Sequence, residues 1–216
     1  VYSLDVTVPG VFELPAEARI DVSYRGYRQG DPGWTHPLTR VGGSARWSGG
    51  SYGGLGGQAG GAPNAVYGDP LNPNEPGSGG AGTDDGNGGG DGGGLVRIVA
   101  GTFAFDGLIR ADGQNAWYVG GGWHCGAGSG GGVRIDAGTL TGTGSIEADG
   151  GSSDTTGGGG GGGRVAVHTW DLLDFPTGNV SVAGGTGYDG TANGQEGTVR
   201  FVDSDAPTDL AVSANS

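Results

Sequence analysis

Residues 96–113, VRIVAGTFAFDGLIRADG, and residues 133–150, VRIDAGTLTGTGSIEADG, are two copies of one segment, 37 positions apart (133 − 96) and aligned without a gap. Within the first seven positions the matches are Val96/Val133, Arg97/Arg134, Ile98/Ile135, Ala100/Ala137, Gly101/Gly138 and Thr102/Thr139. Further matches fall at Gly107/Gly144, Ile109/Ile146, Ala111/Ala148, Asp112/Asp149 and Gly113/Gly150. A looser copy occupies residues 164–185, RVAVHTWDLLDFPTGNVSVAGG, with Val165, Val167, Val180 and Val182 in the aliphatic places. A partial copy, TVRFV, closes the series at residues 198–202, and a degenerate one opens it at residues 4–27. A unit that recurs in this way cannot bury its apolar face alone; neighbouring copies must stack and cover one another.

Each copy alternates with period two. Val133, Ile135 and Ala137 fall on one face and Arg134 and Asp136 on the other, the pattern of a strand with one dry and one wet face. Each copy is expected to hold two short strands separated by a turn such as Gly-Thr-Leu-Thr-Gly-Thr-Gly. No window has helical periodicity. The expected fold is all-β: short strands stacked in a solenoid-like sheet, parallel or mixed, in a single domain over residues 1–203. Residues 204–216 are expected to form a linker or inter-subunit segment.

Glycine dominates what lies between the copies. Of 216 residues 56 are Gly, concentrated near residues 30–94, 114–132, 151–163 and 184–197. Glycine loses more backbone entropy on folding than any other residue and buries no side chain. Its use is steric: without Cβ, extended strands approach closely enough to bond backbone to backbone, as at the collagen axis. The excursions leave the repeat at one corner, so they are expected to form polyglycine-II-like arms on one side, with aromatics such as Tyr52, Tyr67 and Trp117 against them.

Formal net charge is −13, and all ten basic residues are Arg. Nucleic acid and anionic membrane surfaces both need a basic face, so neither is an expected partner. No run of about 18 apolar residues exists to span a membrane. The single Cys125 excludes a disulfide within the chain. There is no Met, so Val1 is expected to be a processing site or a fragment boundary.

The segments ARIDVSYRGYRQG (18–30), YGGLGGQAGGA (52–62), VYGDPLNPNEPGSGGAG (66–82), the two VRI…ADG copies and GGGGGGGRVAVH (157–168) together resemble a glycine-rich repeat module of large bacterial extracellular and surface proteins. The resemblance covers most of the chain, from about residue 4 to 202. More distantly the chain is similar to polyglycine-rich phage tail-tip adhesins. Both resemblances imply scaffolding or recognition outside the cell rather than catalysis.

Catalytic motifs fail for lack of context. Gly49-Gly50-Ser51-Tyr52-Gly53 spells a nucleophile elbow, but no strand precedes it and no helix comes after it. The absence of Lys removes a P-loop and Schiff-base chemistry. His124 and Cys125 are adjacent, which on a strand points them to opposite faces. They read as packing residues, and no enzyme activity is expected.

Asp84, Asp85 and Asp91, on a flexible glycine loop, are the candidate Ca²⁺ ligands, the only cofactor the sequence suggests. Asp112 and Asp149, each before Gly, are expected to cap turns through their own backbone. Trp117 and Trp123 are the candidate sugar-stacking residues. Tyr2, Leu4, Val6 and Val8 read as an edge or donor strand for assembly, because unpaired strand edges invite addition of another strand. The expected function is that of an extracellular structural protein, assembling head to tail into a surface filament. A carbohydrate-binding adhesin module is the alternative, and a polysaccharide-degrading enzyme a more remote one.

Overall fold

The computed structural model describes residues 1–30, 44–82, 88–117, 124–153, 156–173 and 175–203. The strands are β1 (Ser3–Leu14), β2 (Arg19–Asp21), β3 (Leu95–Phe105), β4 (Leu108–Arg110), β5 (Gly132–Thr141), β6 (Ser145–Glu147), β7 (Arg164–Leu173), β8 (Val180–Ser181) and β9 (Thr198–Asp203). They form a five-stranded sheet, β1-β3-β5-β7-β9, and a four-stranded sheet, β2-β4-β6-β8. Every pairing is parallel.

The 37-residue offset is the strand register. Val96 pairs with Val133, Ile98 with Ile135 and Ala100 with Ala137. Val133 and Ile135 continue onto Val165 and Val167, and these onto Val199 and Phe201. In the smaller sheet Ile20, Ile109, Ile146 and Val180 form the matching row. The two sets of rows face each other and make the core. A second thread of the core is aromatic: Phe12 stacks on Phe103, Phe103 on Phe105 and Phe105 on Phe175, with centroids 5.1, 5.0 and 5.8 Å apart.

The expected all-β fold, with short strands stacked in a solenoid-like sheet, is overturned. Strand residues make up 36% of the described residues, in two separate parallel sheets with no closed barrel. Nor are the strands of the larger sheet all short: β3 has 11 residues and β5 has 10. The stretch expected to turn, Gly-Thr-Leu-Thr, stays inside β5 because the alternation slips at Gly138. Ala137 and Leu140 both face the core, with Gly138 and Thr139 between them. The same slip separates Ala100 from Phe103 in β3, and the register shifts between Val8 and Val11 in β1. In β1 the slip is a bulge against β3, while β3, β5 and β7 keep a constant register through it; either way the strand stays in its ladder and the side chains beyond are re-aimed.

Much of the remaining backbone bonds outside either sheet, with a period of three. In residues 126–131, the N–H groups of Gly126 and Ser129 donate to Ala81 and Ser78, those of Ala127 and Gly130 to Gly158 and Gly161, and those of Gly128 and Gly131 to Gln114 and Ala111. Three successive residues thus reach three different neighbouring segments. Residues 158–163 repeat the arrangement: Gly158 and Gly161 donate to Trp47 and Gly50, Gly159 and Gly162 to Ala192 and Gln195, Gly160 and Gly163 to Gly151 and Ala148. Three residues per turn is the period of a polyproline-II helix, whose backbone groups point outward and are free to bond neighbours. These segments satisfy the buried backbone that a loop would leave unpaired.

Candidate functional site: the open edges of the larger sheet

β1 and β9 are the two edge strands of the five-stranded sheet. β1 is held on its inner side only, by β3. Leu4, Val6, Val8 and Phe12 continue the core rows, pairing with Val96, Ile98, Ala100 and Phe103. They are nevertheless only half-buried, because no further strand among the described residues covers them. Tyr2, just before β1, is 66% exposed; its N–H donates to the Arg25 carbonyl and its own carbonyl accepts from Leu95 N–H. The N-terminal segment is therefore an integral edge strand rather than a free donor arm.

β9 closes the opposite end. Val199 and Phe201 face the core and are buried, while Arg200 points outward. The register runs row by row across the sheet. Leu4, Val96, Val133, Val165 and Val199 form one row; Asp5, Arg97, Arg134, Ala166 and Arg200 form the next; Val6, Ile98, Ile135, Val167 and Phe201 form the third. If β9 of one copy were laid beside β1 of another in this register, Val199 would meet Leu4, Phe201 would meet Val6 and the Arg200 guanidinium would meet the Asp5 carboxylate. Sequence reasoning named the β1 half of this surface and missed the β9 half. The signal was present, since TVRFV repeats the same apolar-Arg-apolar order as VRI.

The other expected site residues do not converge. Asp84 and Asp85 lie outside the described residues, as does Trp123. Asp91 accepts the Gln29 N–H through Oδ1 at 2.9 Å, and among the described residues no three His, Cys, Asp or Glu side chains are grouped to hold a metal ion. Trp117 is 43% exposed beside the glycine segments, its N–H bonded to Gly88. Ser51 is buried and its hydroxyl accepts the Gly56 N–H, a structural role. His124 meets Trp47 edge-on at 4.6 Å, and Cys125 is buried, its thiol pushed up to about 11 by desolvation. That thiol is poorly suited to act as a nucleophile.

Asp112 and Asp149 depart from expectation. They bond the next layer rather than their own turn: Asp112 Oδ1 accepts the Asp149 N–H at 2.9 Å, and Asp149 Oδ1 accepts the Ser181 hydroxyl at 2.6 Å and the Ala183 N–H at 2.7 Å. Burial pushes the Asp112 carboxyl up to about 6, with Asp149 adding repulsion, although Arg110 lies 3.2 Å away. No helix among the described residues is long and apolar enough to cross a membrane. Comparison of the chain with family models, with curated proteins and with solved structures found no match.

Proposed function

We propose that this chain is a subunit or module of an extracellular, cell-surface fibre, joined end to end through β9 of one copy and β1 of the next. The observation that carries this reading is the complementarity of the two edges. Both belong to the same parallel sheet, and in its register three rows would set Leu4 beside Val199, Val6 beside Phe201 and Asp5 beside Arg200, while the Val8 row ends on Asp203. Such a contact is heterologous: the surface used at one end differs from that at the other, so the assembly stays open and grows. A parallel edge is a template for strand addition, and the half-buried Leu4 and Val6 gain burial when the next copy arrives. The resemblance to glycine-rich surface modules supports placing it outside the cell. No catalytic step belongs to this reading, and Asp84, Asp85 and Asp91 remain its only suggested Ca²⁺ ligands.

Light scattering of the purified chain across a concentration series, with negative-stain electron microscopy of the same samples, tests the proposal. Unbranched filaments that lengthen with concentration are expected. A monodisperse monomer throughout would contradict end-to-end joining.

A further inference from the structure

A shallow trough of about 300 Å³ crosses the outer face of the larger sheet, lined by Val99 and Ala100 of β3, Asp136, Ala137 and Gly138 of β5, and His168 and Trp170 of β7. Three features distinguish it from an ordinary wet sheet face. First, Trp170 is 62% exposed, an indole left in water on a sheet whose other large aromatics are mostly stacked inside. Second, the floor is flat. Beside Trp170 the chain has Gly138, where an added Cβ would run into the Gly101 carbonyl oxygen at 2.6 Å and lie 3.7 Å from a carbon of the indole ring. Third, the polar groups are pre-set as acceptors. Arg134 grips both oxygens of Asp136, Nε to Oδ2 at 2.7 Å and Nη2 to Oδ1 at 2.8 Å, fixing the carboxylate and neutralising its charge. A carboxylate has about four lone-pair sites, so acceptor capacity remains on each oxygen. His168 Nε2 lies 2.7 Å from the Leu71 carbonyl and must donate to it, which leaves Nδ1 as an acceptor.

We propose that this trough binds a neutral polysaccharide of pyranose rings with equatorial hydroxyls. Such a ring has apolar C–H faces and a rim of hydroxyl donors. One face stacks on the Trp170 indole, and the rim donates to Asp136 and His168. An anionic glycan would approach a chain of net charge −13. The trough lies on the face of β3, β5 and β7, away from both edge strands, so it stays open whether or not copies join end to end. Its success or failure is therefore independent of the assembly reading.

The test is affinity electrophoresis of dilute, unassembled protein in gels containing hydroxyethylcellulose, with alginate as the anionic comparison and a proline-rich peptide competitor. Retardation by the neutral glucan is expected. It should weaken roughly tenfold or more in Trp170→Ala, while Trp117→Ala should bind as the parent does. Trp170 is exposed, so its loss leaves the core intact, and circular dichroism of each variant checks this. No retardation by the neutral glucan, retardation that survives Trp170→Ala, stronger retardation by alginate, or full displacement by the peptide would each overturn the proposal.

Discussion

At Gly160 there is no room for a methyl group: it would run into the carbonyl of Gly128 and sit 3.0 Å from the Ser129 nitrogen. Both obstacles are backbone, held by their own hydrogen bonds, so neither can move aside cheaply. Gly160→Ala is expected to cost about 3 kcal/mol or more, at the upper end of overpacking penalties. Gly178, with nothing within 4 Å of its would-be Cβ, is the control. There the same substitution is expected to be neutral or to stabilise by up to about 1 kcal/mol, through a less flexible unfolded chain. Urea unfolding of the two variants measures the contrast, and equal costs would mean that glycine is not needed for close approach. Asp112 makes a pH-dependent prediction. Its folded carboxyl titrates near 6, above the unfolded value of 3.8, so between those values the folded state holds the extra proton. Stability should therefore fall as pH rises from about 4 to 6, by at most about 3 kcal/mol, and the slope should flatten in Asp112→Asn. An unchanged slope in the variant would place the effect elsewhere. Asp112 and Asp149 were visible in the sequence as a repeated pair, but not their partners. A one-letter pattern cannot distinguish a carboxylate that caps its own turn from one that reaches the layer above.

Among the elements, the rows of the core were legible because parallel neighbours with equal spacing place like residues side by side, so the gapless match of residues 96–113 with 133–150 is also their pairing. The slips at Gly101 and Gly138 were not legible, because a slip shared by neighbouring strands leaves only a break in alternation, which also reads as a turn. That is why β5 runs on to Thr141 where a turn was expected. The outward place of Trp170 is legible from alternation alone, since Val165, Val167 and Thr169 are buried and His168 and Trp170 fall on the opposite face of β7. β1 carries its own warning. Pro9 lies at its register shift and has no N–H to offer, the kind of residue that blunts an edge. The segment before it, Ser3–Val8, is free of proline and holds the row that faces Arg200. Deleting that segment would strip β3 of its partner as well, so exchanging charges is the cleaner test. Asp5→Arg and Arg200→Asp should each raise the concentration needed for assembly, and the double exchange should restore it toward that of the parent. Failure of the double variant to recover while both singles remain folded would remove this pair from the interface.

At the scale of the whole molecule, the chain is a stack of parallel layers in which two sheets supply the apolar core and the glycine segments bond backbone to backbone beside them. Among the described residues no further strand pairs with β1 or β9 at either end of the larger sheet. Composition made the glycine content obvious, but not the threefold bonding, since any run of glycine permits it and only the surrounding segments at matching height select it. If copies join end to end, each contributes the five layers of its larger sheet at a strand spacing of ~4.8 Å, so the rise per subunit should be about 24 Å. Helical reconstruction from cryo-electron micrographs of assembled protein measures that rise directly. A rise near 24 Å, with β9 of one subunit continuing into β1 of the next, is the expected result. A filament with a different rise, in which those edges remain apart, would contradict the account.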